Sequence, residues 1–115
     1  MIINEANISR MVRSVVDGLR KTKHMYHDLT HNITASKTTN SVYIRFTIPL
    51  YDGDVIHHSI RVSDHPNNTD KDMPGKVVIM HRSTSPNKLK RSIMNTIERL
   101  YETRKSESLK RAGLL

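Results

Sequence analysis

His24, His27 and His31 stand at a spacing that a helix would bring towards one side, and histidine is a common metal ligand. Residues 23–40 are rich in Thr, Asn and Ser, however, and read as a turn-like connection rather than a regular helix. The chain has no cysteine to complete a ligand set, so ordinary exposed histidines account for the spacing and no metal is expected. Ser63, Asp64 and His65 carry the residue types of a hydrolytic triad. Adjacent residues on an extended chain point in different directions, whereas a triad is assembled in space. Asp64 reads better as a turn cap before His65-Pro66. His58 alternates with Ile56, Ile60 and Val62, which makes it a hydrogen-bonded histidine of a core face. With no glycine-rich phosphate loop and no paired-carboxylate motif, the expectation is a non-enzyme without catalytic residues or cofactor.

The residues that remain are cations. Lys and Arg number 19 against 11 Asp and Glu, a formal net charge of +8. Such an excess favours nucleic acid, a ribonucleoprotein, an acidic protein surface or anionic lipid. Lys88, Lys90 and Arg91 follow Ser85-Pro86, the signature of a helix start, with Arg82 just ahead. Cations there oppose the helix dipole, but a phosphate would find free backbone N–H groups and several positive charges together. Arg45 and Arg61 fall on the polar side of two alternating segments. These six residues are the candidate binding set. Aromatic residues make up only 4% of the chain, too few for a usual base-stacking platform.

The elements that would position them are legible as periods. Ile8, Met11, Val12, Val15, Val16 and Leu19 recur at helical spacing, predicting a first helix from about Asn4 to Lys21 or His24. One extra helical turn is expected around Met25 to Leu29, and otherwise 23–40 is a connection. Val42, Ile44, Phe46, Ile48 and Leu50 alternate with polar residues as a half-buried strand, and Asp52-Gly53 supplies a tight hairpin turn. Ile56, His58, Ile60 and Val62 repeat the alternation. Lys76 to His81 is a third apolar run, reached through a solvated loop from Ser63 to Gly75 that holds Pro66 and Pro74. Leu89, Ile93, Ile97, Leu100 and Tyr101 stripe the closing helix. The fold expected is therefore α+β: helix, three-stranded antiparallel sheet, helix (αβββα), with both helices on one sheet face.

At 115 residues the chain has the length of one domain, taken as 1–103, with 104–115 a basic C-terminal extension or tail. No segment is apolar for long enough to span a bilayer, and the start lacks the layout of a signal peptide. The expectation is a cytoplasmic protein with no membrane partner. No solenoid-period repeat is present.

The stretch Ile60-Arg61-Val62-Ser63-Asp64-His65, a polar loop, the Lys76–Met80 run and an amphipathic helix resemble one group of phage-encoded anti-CRISPR inhibitors of type II RNA-guided nucleases. That group has an Ile-Arg-apolar-Ser-Asn-His stretch in the same place, where this chain has Asp64 for the Asn. The resemblance covers about the second half of the chain. It implies a partner in a CRISPR nuclease or its guide RNA, inside the host bacterial cell. A second resemblance is one of topology. Helix–strand–strand–strand–helix is similar to the double-stranded-RNA-binding domain, which sets a basic cluster at the start of its last helix across phosphates. That would give Lys88, Lys90 and Arg91 the same task. The long linker before the first strand and the long second interstrand loop depart from that family.

Overall fold

The computed structural model describes residues 4–35, 41–63, 77–80 and 85–114. Among them helix α1 spans Glu5–Thr22 and a short 3-10 turn spans His24–Tyr26. Strands β1 (Thr30–Ala35), β2 (Ser41–Pro49), β3 (Val55–Ser63) and β4 (Val77–Met80) follow, and helix α2 (Pro86–Arg111) closes the order. The class is α+β, as the periods predict.

Local chemistry sets the helix ends. The Asn4 side chain accepts the Asn7 N–H at 2.8 Å, and Glu5 in the first turn with Arg20 and Lys21 in the last suit the helix dipole. Ser85 caps α2 by accepting the Lys88 N–H at 3.2 Å, with Pro86 in the first turn. Residues 104–115 were expected to be a basic extension or tail, and most of them extend the closing helix. α2 continues through Arg111 and stops where Gly113 takes φ +73, its N–H donating to the Lys110 carbonyl at 3.0 Å. Arg104 also meets Asp54 of the β2–β3 turn at 3.0 Å, which holds this half of the helix against the sheet.

The sheet order is β1-β2-β3-β4, with β1, β2 and β3 antiparallel. Two strands differ in assignment from the sequence reading. β1 lies inside the segment read as a connection, because its inward positions are His31, Ile33 and Ala35 and only one is strongly apolar. The third apolar run is a fourth strand, and it pairs parallel to β3, with an irregularity between Arg61 and Val62. The residues between them, 64–76, meet the dozen or so that a parallel return requires. β2 and β3 are joined by a turn in which the Leu50 N–H bonds the Asp54 carbonyl at 2.8 Å and the Gly53 N–H bonds the Leu50 carbonyl at 3.2 Å. Gly53 sits at φ +87, which an L side chain rarely adopts.

Val42, Ile44, Phe46, Ile48, Ile60 and Val62 project to one face and are buried with the α1 stripe and with Leu89, Ile93, Ile97 and Tyr101 of α2. Both helices therefore cover the same face. Tyr26 packs edge-on against Tyr101, ring centres 5.5 Å apart, and anchors the 3-10 turn to α2. Burial, then the nearby Glu98 and Glu102 carboxylates, push its hydroxyl pKa up to about 12. Lys23 reaches Glu98 at 2.9 Å across the same junction.

Phe46 is fully buried at the middle of the sheet. Phe46→Ala should cost about 3–5 kcal/mol of unfolding free energy, measured by urea titration, and a neutral result would mean that the sheet is turned the other way. Gly18 is exposed in α1, and a Cβ there meets nothing within 4 Å. Gly18→Ala should raise stability by about 0.5–1 kcal/mol in the same assay.

Candidate nucleic-acid interface

The face of the sheet away from the helices is built by the register. Thr30, Asn32 and Thr34 of β1 stand opposite Thr47, Arg45 and Tyr43 of β2, which stand opposite His57, Ser59 and Arg61 of β3. Strand pleat sends all nine to the side opposite Phe46. The face is rich in hydroxyl and amide groups and carries two guanidinium groups. No Asp or Glu occurs in any of the four strands. Arg45 is exposed and makes no hydrogen bond or ion pair among the described residues. Arg61 is half-buried, and its Nε donates to Ser41 Oγ at 3.1 Å, fixing its stem across the strands. The Thr47 hydroxyl and His57 Nδ1 lie 3.3 Å apart.

Lys88, Lys90 and Arg91 occupy the first turns of α2, Lys90 half-buried and the other two exposed. No carboxylate follows in α2 until Glu98. Arg82 lies outside the described residues. Because α2 packs on the buried face through Leu89 and Ile93, the helix cluster and the Arg45–Arg61 pair lie on opposite sides of the sheet. The five described candidate residues therefore do not form one flat site. They form two basic surfaces separated by the thickness of the domain.

The histidines separate as well. His24 and His27 flank the 3-10 turn with ring centres 6.5 Å apart, and both are exposed. His31 turns inward on β1 against Phe46, ring centres 6.4 Å apart. No group of three His, Cys, Asp or Glu among the described residues could hold a metal ion. His58 faces inward as expected, but its Nε2 is buried and has no hydrogen-bond partner among the described residues. Asp64 and His65 lie outside the described residues, so the Ser63-Asp64-His65 set has no geometry to weigh.

One feature escaped sequence reasoning. A groove of about 590 Å³ opens between the 3-10 turn, the β2–β3 turn and α2, lined by Met25, His27, Pro49, Leu50, Tyr51 and Tyr101 among others. Met25 and Tyr51 are exposed there, and no period marks them because Met25 sits in a single 3-10 turn and Tyr51 in the β2–β3 turn, both too short to show one. The carboxylate-free sheet, by contrast, is visible in the sequence once the strands are known. No family model, no curated protein and no solved structure matches the chain.

The inward histidines give the fold a pH dependence. Burial first, then Arg13, holds the His31 pKa below its ordinary value of 6.5, against a smaller opposing effect of Asp17. Burial first, then Arg99, lowers that of His58. Both rings thus take up protons less readily when folded than when unfolded. Their contribution is complete above about pH 6.5 and is lost as pH falls towards the lowered folded values. Unfolding free energy should therefore drop between pH 7.5 and pH 5.5. His58→Leu should remove part of that drop without loss of stability at pH 7.5, because it also removes the unpartnered nitrogen. An unchanged pH profile in the variant would separate His58 from the effect.

Proposed function

We propose that this is a non-enzymatic binding protein that engages a nucleoprotein through its basic surfaces, with a CRISPR RNA-guided nuclease or its guide-RNA complex as the target in the host cytoplasm. The observation that carries the reading is the open sheet face, with Arg45 and Arg61 set among hydroxyl and amide groups and no carboxylate in the strands. A phosphate backbone laid on such a face meets donors and positive charge, with no like-charged group in the strands to repel it. The cations of early α2 offer a second anionic contact on the other side of the domain. A partner that combines folded RNA with protein channels can reach both, whereas a single straight duplex meets one. The choice of a CRISPR nuclease rests on the resemblance of Ile60–His65 and the segments that follow.

A second reading is the double-stranded-RNA-binding one. Its support is the order α1–β1–β2–β3 with a short connection before β1, which removes one departure that the sequence suggests. The parallel β4 between β3 and α2 is a departure from that topology. In this reading the sheet face is idle and Lys88, Lys90 and Arg91 bind phosphates.

The two readings differ in which surface matters. Kd is measured for the assembled nuclease–guide complex and for free RNA duplex, over a range of salt. The inhibitor reading expects Arg45→Ala/Arg61→Ala to weaken binding to the complex at least as much as the triple alanine variant of Lys88, Lys90 and Arg91. It also expects excess free duplex to leave the complex bound. Full displacement by free duplex, with only the helix variant affected and its salt slope reduced by about 0.9 for each phosphate no longer neutralised, would establish the duplex-binding reading instead.

A further inference from the structure

We propose that the free edge of β1 is a docking site for an extended, acidic segment of a partner polypeptide, which adds to the sheet as a fifth strand. β1 pairs with β2 on one side and, among the described residues, with nothing on the other. Alternate residues of such an edge direct their N–H and C=O groups away from the sheet, ready for another strand. Edge strands are ordinarily blunted by Lys, Pro or a bulge. β1 reads Thr-His-Asn-Ile-Thr-Ala and pairs with β2 without interruption from Thr30↔Thr47 to Ala35↔Val42, so it has none of these. Its inward residues His31, Ile33 and Ala35 are only half-buried, where the inward residues of β2 are buried completely. The core face is thus incompletely covered along this edge.

The flank of α1 supplies the chemistry that selects an occupant. α1 packs against β1, and its Arg13 and Asp17 lie near enough to His31 to act on it electrostatically. Arg20, two turns after Arg13 on the same side, donates from Nε to the His27 carbonyl at 3.0 Å and is held near the start of the strand. A cavity of about 360 Å³ opens there between Asp17, Arg20, Lys21 and His27. Arg13 is exposed and has no hydrogen bond or ion pair among the described residues. Among the described residues of this α1 flank, Arg13, Arg20 and Lys21 stand against the single carboxylate of Asp17. A fifth strand would send alternate side chains towards this flank, and Asp or Glu at those positions would meet Arg13 and Arg20. A second copy of the chain is the poorer occupant, since a two-fold pairing of β1 edges would set these cations of one +8 chain towards those of another.

The test uses the full chain and a capped eight-residue peptide of alternating Glu and Thr, with alternating Lys and Thr as control, followed by amide NMR and sedimentation. The Glu peptide should shift the amides of Thr30–Ala35, slow their hydrogen exchange and lose affinity as salt is raised, and the Lys peptide should do none of this. Arg13→Glu, with its fold checked by the same spectrum, should weaken the Glu peptide about tenfold. Should that variant fail to fold, the salt dependence and the Lys control on the unaltered chain still decide. Lack of binding at millimolar peptide, an equal response to the Lys peptide, or shifts confined to β2 and β3 would overturn the proposal. So would a concentration-dependent dimer that pairs through β1. The edge is separate from the face that holds Arg45 and Arg61, so failure here leaves the nucleoprotein reading standing, and the reverse.

Discussion

Strand β2 has a neighbour on each side and buries side chains on one face only, and that pair of conditions governs the rest of the domain. A strand repeats every two residues, so a slip of one position would carry Phe46 and Ile44 to water and drive Arg45 into the core. Desolvating an unpaired guanidinium costs far more than any alternative register returns. The register of β1 and β3 on β2 is thereby fixed. It places His31 and His58 on either side of Phe46 in one inward row, and it places every other polar residue of the three strands on the opposite side. The inward histidines and the cationic outer face are two consequences of the same alternation.

The charges divide along the same line. The strands contribute cations and no carboxylates, and the described acidic residues sit in the helices, the 3-10 region and the β2–β3 turn. There they make the contacts that tie elements together, Lys23 with Glu98 and Arg104 with Asp54. The Val55 N–H and then Arg104 hold the Asp54 carboxyl below its usual range, so this turn stays charged and bonded. Exposed pairs of this kind are screened by solvent and add little to stability. Their larger effect is on charge distribution, because carboxylates engaged beside the core leave the sheet face positive.

Much of the architecture was legible as period. The α1 stripe, the β2 alternation, the inward direction of His58 and the Ser85-Pro86 start of α2 all follow from residue types at regular intervals, since each such element buries one face against a single core. Gly53 likewise announced its turn. The basic character is a matter of composition, and Arg45 and Arg61 were placed on the polar face by parity alone.

Three features had no such signal, and each was decided by neighbours distant in sequence. β1 carries one strong apolar residue among Thr, Asn and His, and it is a strand because β2 offers it a hydrogen-bonding edge. Whether the run after residue 76 pairs parallel or antiparallel is a question of how the chain returns, which alternation cannot express. The last turns of α2 look like a solvated tail by composition, yet Asp54 and the turn around it supply partners that keep them helical. The separation of the helix cations from the sheet arginines belongs with these. The sequence by itself determined which faces are apolar and that the chain is basic, because side-chain transfer and charge are properties of the residue. Only the tertiary structure decided which basic residues share a side, because that depends on which face of the sheet the helices cover.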